Sequence, residues 1–147
     1  KPGTQNMFGL IGGKANSIEP GKRMLSSMTP TIIEKDGSLY MILGTPGGST
    51  IITSVFQVIL NAYEFGMSIQ EAVNFPRFHH QWIPEKVEFE KERFKNATIE
   101  SLQMKGYDIS SDYIRKIGRV DAIMISDEGF ISAGADPRGD DAAAFIY

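Results

Sequence analysis

Apolar and polar residues alternate along the chain in short, bounded runs, and their spacing changes from strand-like to helix-like and back. Thr31-Ile32-Ile33-Glu34-Lys35 and Leu39-Tyr40-Met41-Ile42-Leu43 are rich in β-branched and apolar residues and flank Asp36-Gly37. Both turn residues tolerate positive φ, so the pattern predicts an antiparallel hairpin. A similar pair closes the chain: Val120–Ile125, a turn at Asp127-Glu128-Gly129, then Phe130–Ala133. Between the hairpins, Ile51, Ile52, Val55, Phe56, Ile59 and Tyr63 recur at helical spacing and predict one broad apolar stripe on a buried helix, with Gly66 at its C-terminal end. Ser68-Ile69-Gln70-Glu71 reads as a capping box opening a second helix, which must stop before Pro76. A third helix is expected from Ala97 to Lys105, with Asn96 as N-cap and Gly106 just past its end.

The resulting order is hairpin, helix, helix, strand, helix, strands. It predicts an α+β fold with helices layered on an antiparallel sheet, and a single domain over residues 1–147 with a loop-rich start to about Gly21. The irregular opening and the absence of a start methionine suggest a fragment of something longer. No apolar run approaches the roughly 18 residues of a membrane span, and the first residues lack the pattern of a signal peptide. The net charge of −3 comes from well-mixed acidic and basic residues, without the clustered basic surface of a nucleic-acid binder. The sign-alternating stretch Glu85–Lys95 reads as a solvated face. With no cysteine, disulfides, thiolate nucleophiles and cysteine-ligated zinc are excluded.

Four stretches invite chemistry. Pro46-Gly47-Gly48-Ser49 lies between a strand end and a helix start. Successive glycines bring backbone N–H groups close to a ligand, and at a helix N-terminus those groups have no intrahelical partner. The bend therefore suits either an oxyanion formed in acyl transfer or simply a tight packed turn. Ser26-Ser27, in the loop before the first strand, can offer two hydroxyls to a carboxylate, or serve as an ordinary turn. His79-His80 suggests a metal, but adjacent strand residues point to opposite faces and two ligands are too few. Hydrogen bonding near a packed Trp82 is the expectation there, and no metal is assigned. Asp136-Pro137-Arg138 with Asp140 and Asp141 reads as a turn with an internal ion pair.

Taken together, Lys22-Arg23-Met24-Leu25-Ser26-Ser27-Met28-Thr29-Pro30-Thr31, Gly44-Thr45-Pro46-Gly47-Gly48-Ser49, Pro76-Arg77-Phe78-His79-His80-Gln81-Trp82 and Gly134-Ala135-Asp136-Pro137-Arg138 resemble the small subunit of bacterial gamma-glutamyltranspeptidases. The similarity runs over nearly the whole chain. It implies part of a four-layer αββα sandwich of the N-terminal-nucleophile hydrolase type, made by autocatalytic cleavage of a proenzyme. By resemblance, Ser26 and Ser27 hold the α-carboxylate of a gamma-glutamyl group, and Gly47 and Gly48 form the oxyanion hole. The family's nucleophile is a threonine at the first position of the small subunit, where this chain has Lys1.

The resemblance implies gamma-glutamyl transfer or hydrolysis, on glutathione and related amides, in a complete enzyme whose nucleophile lies upstream of this chain. Its partners are then the large subunit and the remainder of the small subunit, and no cofactor is called for. The 147-residue chain alone is expected to be inactive and prone to self-association through uncovered apolar edges. A periplasmic or extracellular location follows from the family alone. Three alternatives stay open: a related acylase, a poly-gamma-glutamate depolymerase, or a non-catalytic interaction domain.

Overall fold

The computed structural model describes residues 3–24, 29–90, 93–110 and 116–145. Both predicted hairpins form. Strand β1 (Thr31–Lys35) turns through Asp36 and Gly37, at φ 52° and 78°, into β2 (Ser38–Gly44), and β5 (Asp121–Ile125) returns as β6 (Ile131–Gly134). They join edge to edge as one antiparallel sheet in the order β1-β2-β5-β6, with Met41 opposite Met124 and Leu43 opposite Ala122. Side-chain directions are then fixed by the two-residue repeat of a strand: Met41, Leu43 and Ala122 point to one face and are buried, while Ile32, Ile42 and Ile123 point to the other.

Helix α1 (Thr50–Tyr63) and helix α2 (Ile69–Asn74) cover the first face. Val55, Val58 and Ala62 of α1 and Ile69, Ala72 and Val73 of α2 complete a core with Met41, Leu43, Val120 and Ala122. Each fully buried aliphatic side chain contributes about 1.5–3 kcal/mol, so this one layer carries most of the apolar stabilisation. The capping box forms as expected: Ser68 N donates to Glu71 Oε2 at 2.9 Å, and Glu71 N donates to Ser68 Oγ at 3.4 Å. The carboxyl of Glu71 is held below its usual range by its hydrogen bonds to Ser68.

Several expectations change. The stripe on α1 is buried on one side only: Ile52, Phe56 and Tyr63 remain exposed, because the sheet meets the side carrying Ile51, Val55 and Val58. Residues 78–89 form two strands where one was expected, β3 (Phe78–Gln81) and β4 (Lys86–Phe89), paired antiparallel as a separate sheet. The stretch read as a solvated face thus includes buried Val87, Phe89 and Glu90. Trp82 is 82% exposed rather than packed. Helix α3 (Asn96–Met104) starts one residue early, with Lys95 at the cap position and no side-chain cap bond.

No helix or strand among the described residues covers the second face of the main sheet, where only the segment 142–144 comes beside Ile42, Ile123 and Ala133. Ile32, Ile42, Ile123 and Ala133 lie opposite one another in register across all four strands, and the three isoleucines are exposed. A contiguous apolar row of this kind marks a surface built to meet another layer.

Candidate active site

The bend at Pro46–Ser49 connects β2 to α1, and its backbone is set by what surrounds it. Gly47 has φ 146° and Gly48 φ 58°, both in the region that favours glycine. A Cβ on Gly47 would lie 2.5 Å from Thr50 Oγ1, and one on Gly48 would lie 2.4 Å from Cε1 of Phe8. The carbonyls of the two glycines face the helix: Gly47 O accepts from Thr50 N at 3.1 Å and from Thr50 Oγ1 at 2.9 Å, and Gly48 O accepts from Ile51 N at 3.3 Å. Their N–H groups donate to no group among the described residues. Two amides at the positive end of α1 are thus left without an acceptor among the described residues, an arrangement that suits an anion.

The bend is braced from behind. Thr45 Oγ1 accepts from Arg119 N at 2.6 Å and donates to Pro46 O at 2.6 Å. Gly118, at φ 66°, packs close: a Cβ on Gly47 would come within 3.4 Å of its Cα, and one on Gly118 would meet Ser54 Oγ at 2.5 Å. Larger residues at either position would push the bend away from the 117–120 segment.

That segment is anchored in turn by a buried ion cluster. Arg138 donates from Nε to Glu90 Oε1 and from NH2 to Glu90 Oε2, both at 2.5 Å, and from NH1 to Asp136 Oδ1 at 3.1 Å. Arg77 NH1 lies 2.8 Å from Asp136 Oδ2. Arg77 Nε is buried without a partner among the described residues, and other donors and acceptors of the cluster serve the backbone. Asp136 accepts from Val120 N at 2.7 Å, Glu90 accepts from Ile117 N at 3.1 Å and Arg77 N at 2.9 Å, and the two guanidinium groups donate to Val73, Phe75 and Ile117 carbonyls. The expected Asp136–Arg138 pair therefore exists, but it is buried and structural, and it enlists Arg77 and Glu90. Neither residue type nor spacing singled out Glu90.

Burial pushes the carboxyls of Glu90 and Asp136 up, but their hydrogen bonds and the facing guanidinium groups outweigh it and hold both below the ordinary range. Burial and the nearby Arg138 charge lower Arg77, while the contacts to Glu90 and Asp136 raise Arg138 despite burial. A carboxyl whose folded pKa is depressed stabilises the fold above its unfolded pKa, and that stabilisation is lost as pH falls through the folded value. Urea midpoints should accordingly hold steady near neutrality and decline once pH drops below about 4, the ordinary carboxylate range. A midpoint unchanged from neutrality down to strongly acidic pH would count against this role.

In front of the bend lies a cavity of about 310 Å³ bounded by Gly47, Ser49, Thr50, Phe8, His79, Gln81, Lys86 and Glu88, among others. His79 is buried and its neighbour His80 is exposed, as the alternation of β3 requires. His79 Nδ1 pairs with Thr53 Oγ1 at 2.8 Å and Nε2 with Gln81 Oε1 at 2.9 Å, so both ring nitrogens are engaged by protein. No group of three or more potential metal ligands occurs among the described residues. Phe8, Thr53 and Lys86 were not singled out from sequence, and Gln81 stood in the Pro76–Trp82 motif without a role of its own. Gln81 was recoverable from the strand repeat, which puts it on the same face as His79. Ser26 and Ser27 lie outside the described residues.

This architecture has relatives. The family model for Gamma-glutamyltranspeptidase matches residues 1–146. The glutathione hydrolase proenzyme of Escherichia coli is 43% identical over 141 residues, covering 96% of this chain and 24% of the relative. Among solved structures, the gamma-glutamyltranspeptidase of Pseudomonas nitroreducens complexed with L-DON superposes with a TM-score of 0.89 at 38% identity, over 100% of this chain and 76% of that one. The transpeptidase CapD of Bacillus anthracis, at 23% identity and a TM-score of 0.72, shares the fold.

The fold and its neighbours define an N-terminal-nucleophile hydrolase architecture. The chain belongs to the gamma-glutamyltranspeptidase family. It spans about a quarter of the length of the curated relatives it matches.

Proposed function

We propose that this chain is the C-terminal part of a gamma-glutamyltranspeptidase small subunit, and that it supplies the oxyanion hole for gamma-glutamyl transfer or hydrolysis. The observation carrying this reading is the pair of N–H groups on Gly47 and Gly48, which donate to nothing among the described residues while their carbonyls are tied to α1. A threonine from elsewhere in the enzyme attacks the gamma-amide carbonyl of glutathione or a related amide, its own amino group taking the hydroxyl proton and later passing it to the departing amine. The new C–O bond places a negative charge on the carbonyl oxygen, which the two amides stabilise. Collapse breaks the C–N bond, the departing amine takes up a proton, and water or an amino acid then releases the acyl group from the threonine. Ser26 and Ser27 are assigned to the glutamyl α-carboxylate through the family motif. No cofactor takes part in this scheme.

The whole enzyme should release p-nitroaniline from gamma-glutamyl-p-nitroanilide, with glutathione competing, and the 147-residue chain alone should release none. Turnover by the isolated chain would overturn the division of labour. Failure of glutathione to compete would favour a related acylase or a depolymerase.

The partners are the large subunit and the rest of the small subunit, whose second sheet is assigned to the open Ile32–Ile42–Ile123 face. Left uncovered, that face should make the isolated chain self-associate. Size-exclusion chromatography is expected to show oligomers that dissociate on introducing Ile32→Lys and Ile123→Lys together. A monomeric unmodified chain would contradict the assignment. Export to the periplasm or the exterior goes with this family reading. No helix among the described residues is long and apolar enough to cross a membrane.

A further inference from the structure

The segment Met7–Gly9 is folded by its own contacts into a compact turn. Asn6 N donates to Leu10 O at 2.8 Å, and Asn6 Oδ1 accepts from Phe8 N at 2.9 Å and Leu10 N at 3.0 Å. This turn is wedged between two fixed points. On one side the Phe8 ring occupies the space above Gly48 where a side chain would stand. On the other, Gln81 Nε2 donates to Phe8 O at 3.0 Å and to Ile83 O at 2.7 Å, and Pro84 Cδ lies 2.8 Å from where a Cβ on Gly9 would be.

The orientation of Gln81 is determined. Its nitrogen faces two carbonyls, so its oxygen must face His79, and His79 Nε2 must be the donor in that 2.9 Å contact. In the neutral imidazole Nδ1 is then an acceptor, and Thr53 Oγ1, 2.8 Å away, is the group that donates to it. Thr53 Oγ1 also lies 3.1 Å from Thr50 O, but it has one proton and the shorter contact satisfies the buried ring. A single ordered relay thus runs from α1 through Thr53, His79 and Gln81 to the Phe8 carbonyl, and through the Phe8 ring back to the bend at the head of α1.

We infer that Gln81, held by His79, is a positioning residue for the Gly47–Gly48 amides and acts on them through Phe8. The inference rests on the oxyanion reading of that bend. Its physical basis is that Gly48 has no side chain of its own to fix its position, and the Phe8 ring is the side chain that fills that place. Releasing the Phe8 carbonyl frees the ring to leave, and the bend loses its outer wall. Misplacement of a reacting group by about 1 Å can lower turnover about a hundredfold.

The test is a double-mutant cycle in the whole enzyme, numbered as in this chain. Gln81→Glu keeps the shape but replaces the amide donor with a carboxylate that cannot donate to either carbonyl. It is expected to lower kcat about ten- to a hundredfold on gamma-glutamyl-p-nitroanilide, with KM changed little, because amides misplaced for the transition state still admit substrate. Phe8→Ala should lower kcat by a similar factor. Adding Gln81→Glu to Phe8→Ala should then have almost no further effect, since the path through the ring is already cut. Multiplicative losses in the double variant, or a loss carried by KM alone, would overturn the inference.

The oxyanion reading is tested separately by the affinity of a gamma-glutamyl-like boronate, which becomes tetrahedral on the nucleophile. If boronate binding weakens in Phe8→Ala in step with kcat, the bend is the oxyanion site, and only the cycle decides on Gln81. If boronate binding is unchanged while kcat falls, the oxyanion reading fails and the inference falls with it.

Discussion

Replacing Arg138 by leucine is expected to destabilise the fold by about 3–5 kcal/mol, a large part of the 5–15 kcal/mol that keeps a domain of this size folded. Arg138 meets both carboxylates of the buried cluster and two backbone carbonyls, and its side chain is 4% exposed. Removing it leaves Glu90 and part of Asp136 facing each other's charge in an interior that water does not reach. Each buried, unpaired carboxylate must then either stay charged at high cost or take up a proton. The variant's urea midpoint should therefore fall steeply at pH 7, and the fall should shrink as pH drops and the carboxyls become neutral. Replacing Glu90 by methionine as well should recover only part of the loss, because it removes the stranded charge but leaves the Ile117 and Arg77 N–H groups without their acceptor. An Arg138→Leu enzyme as stable as the parent would remove the cluster from the account of how the 117–120 segment, and through it the glycine bend, is held.

The second large effect is catalytic. Gly48→Ala in the whole enzyme is expected to lower kcat about a hundred- to a thousandfold, the range seen when one oxyanion donor is lost. Two physical terms act together. At φ 58° an alanine is strained by about 1–2 kcal/mol, and its methyl would lie 2.4 Å from Cε1 and 2.7 Å from Cδ1 of Phe8. The bend must turn, and the Gly48 N–H turns with it. The core under α1 and α2 is untouched, so thermal stability should change far less than turnover. KM should change little, since the amides serve the transition state. Turnover within about twofold of the parent would show that the bend is only a connection between β2 and α1.

How much of this was legible in the sequence depends on whether the signal was local. Asp36-Gly37 and Ser68–Glu71 determine their structure through their own backbone and side chains, and both were read correctly. The Gly47-Gly48 bend was legible as a bend for the same reason: two adjacent glycines announce its positive φ angles. The buried role of Glu90 was not readable, because it depends on Arg77 and Arg138, the latter 48 residues away, converging on one point. Nor was the exposure of Trp82, Phe56 and Tyr63, which depends on what covers a face rather than on the face itself. Phe8 escaped notice because its importance lies in standing over Gly48, forty residues on, with nothing in the intervening loop to announce the contact.

The account comes down to where one oxygen sits. A structure of the whole enzyme carrying a covalent glutamine analogue on its nucleophile measures that directly. The Gly47 and Gly48 nitrogens should lie about 2.7–3.1 Å from the adduct's former carbonyl oxygen, with the hydroxyls of Ser26 and Ser27 on the α-carboxylate. An adduct whose oxygen points to solvent or to other donors, with the two glycine amides turned away, would contradict the central claim.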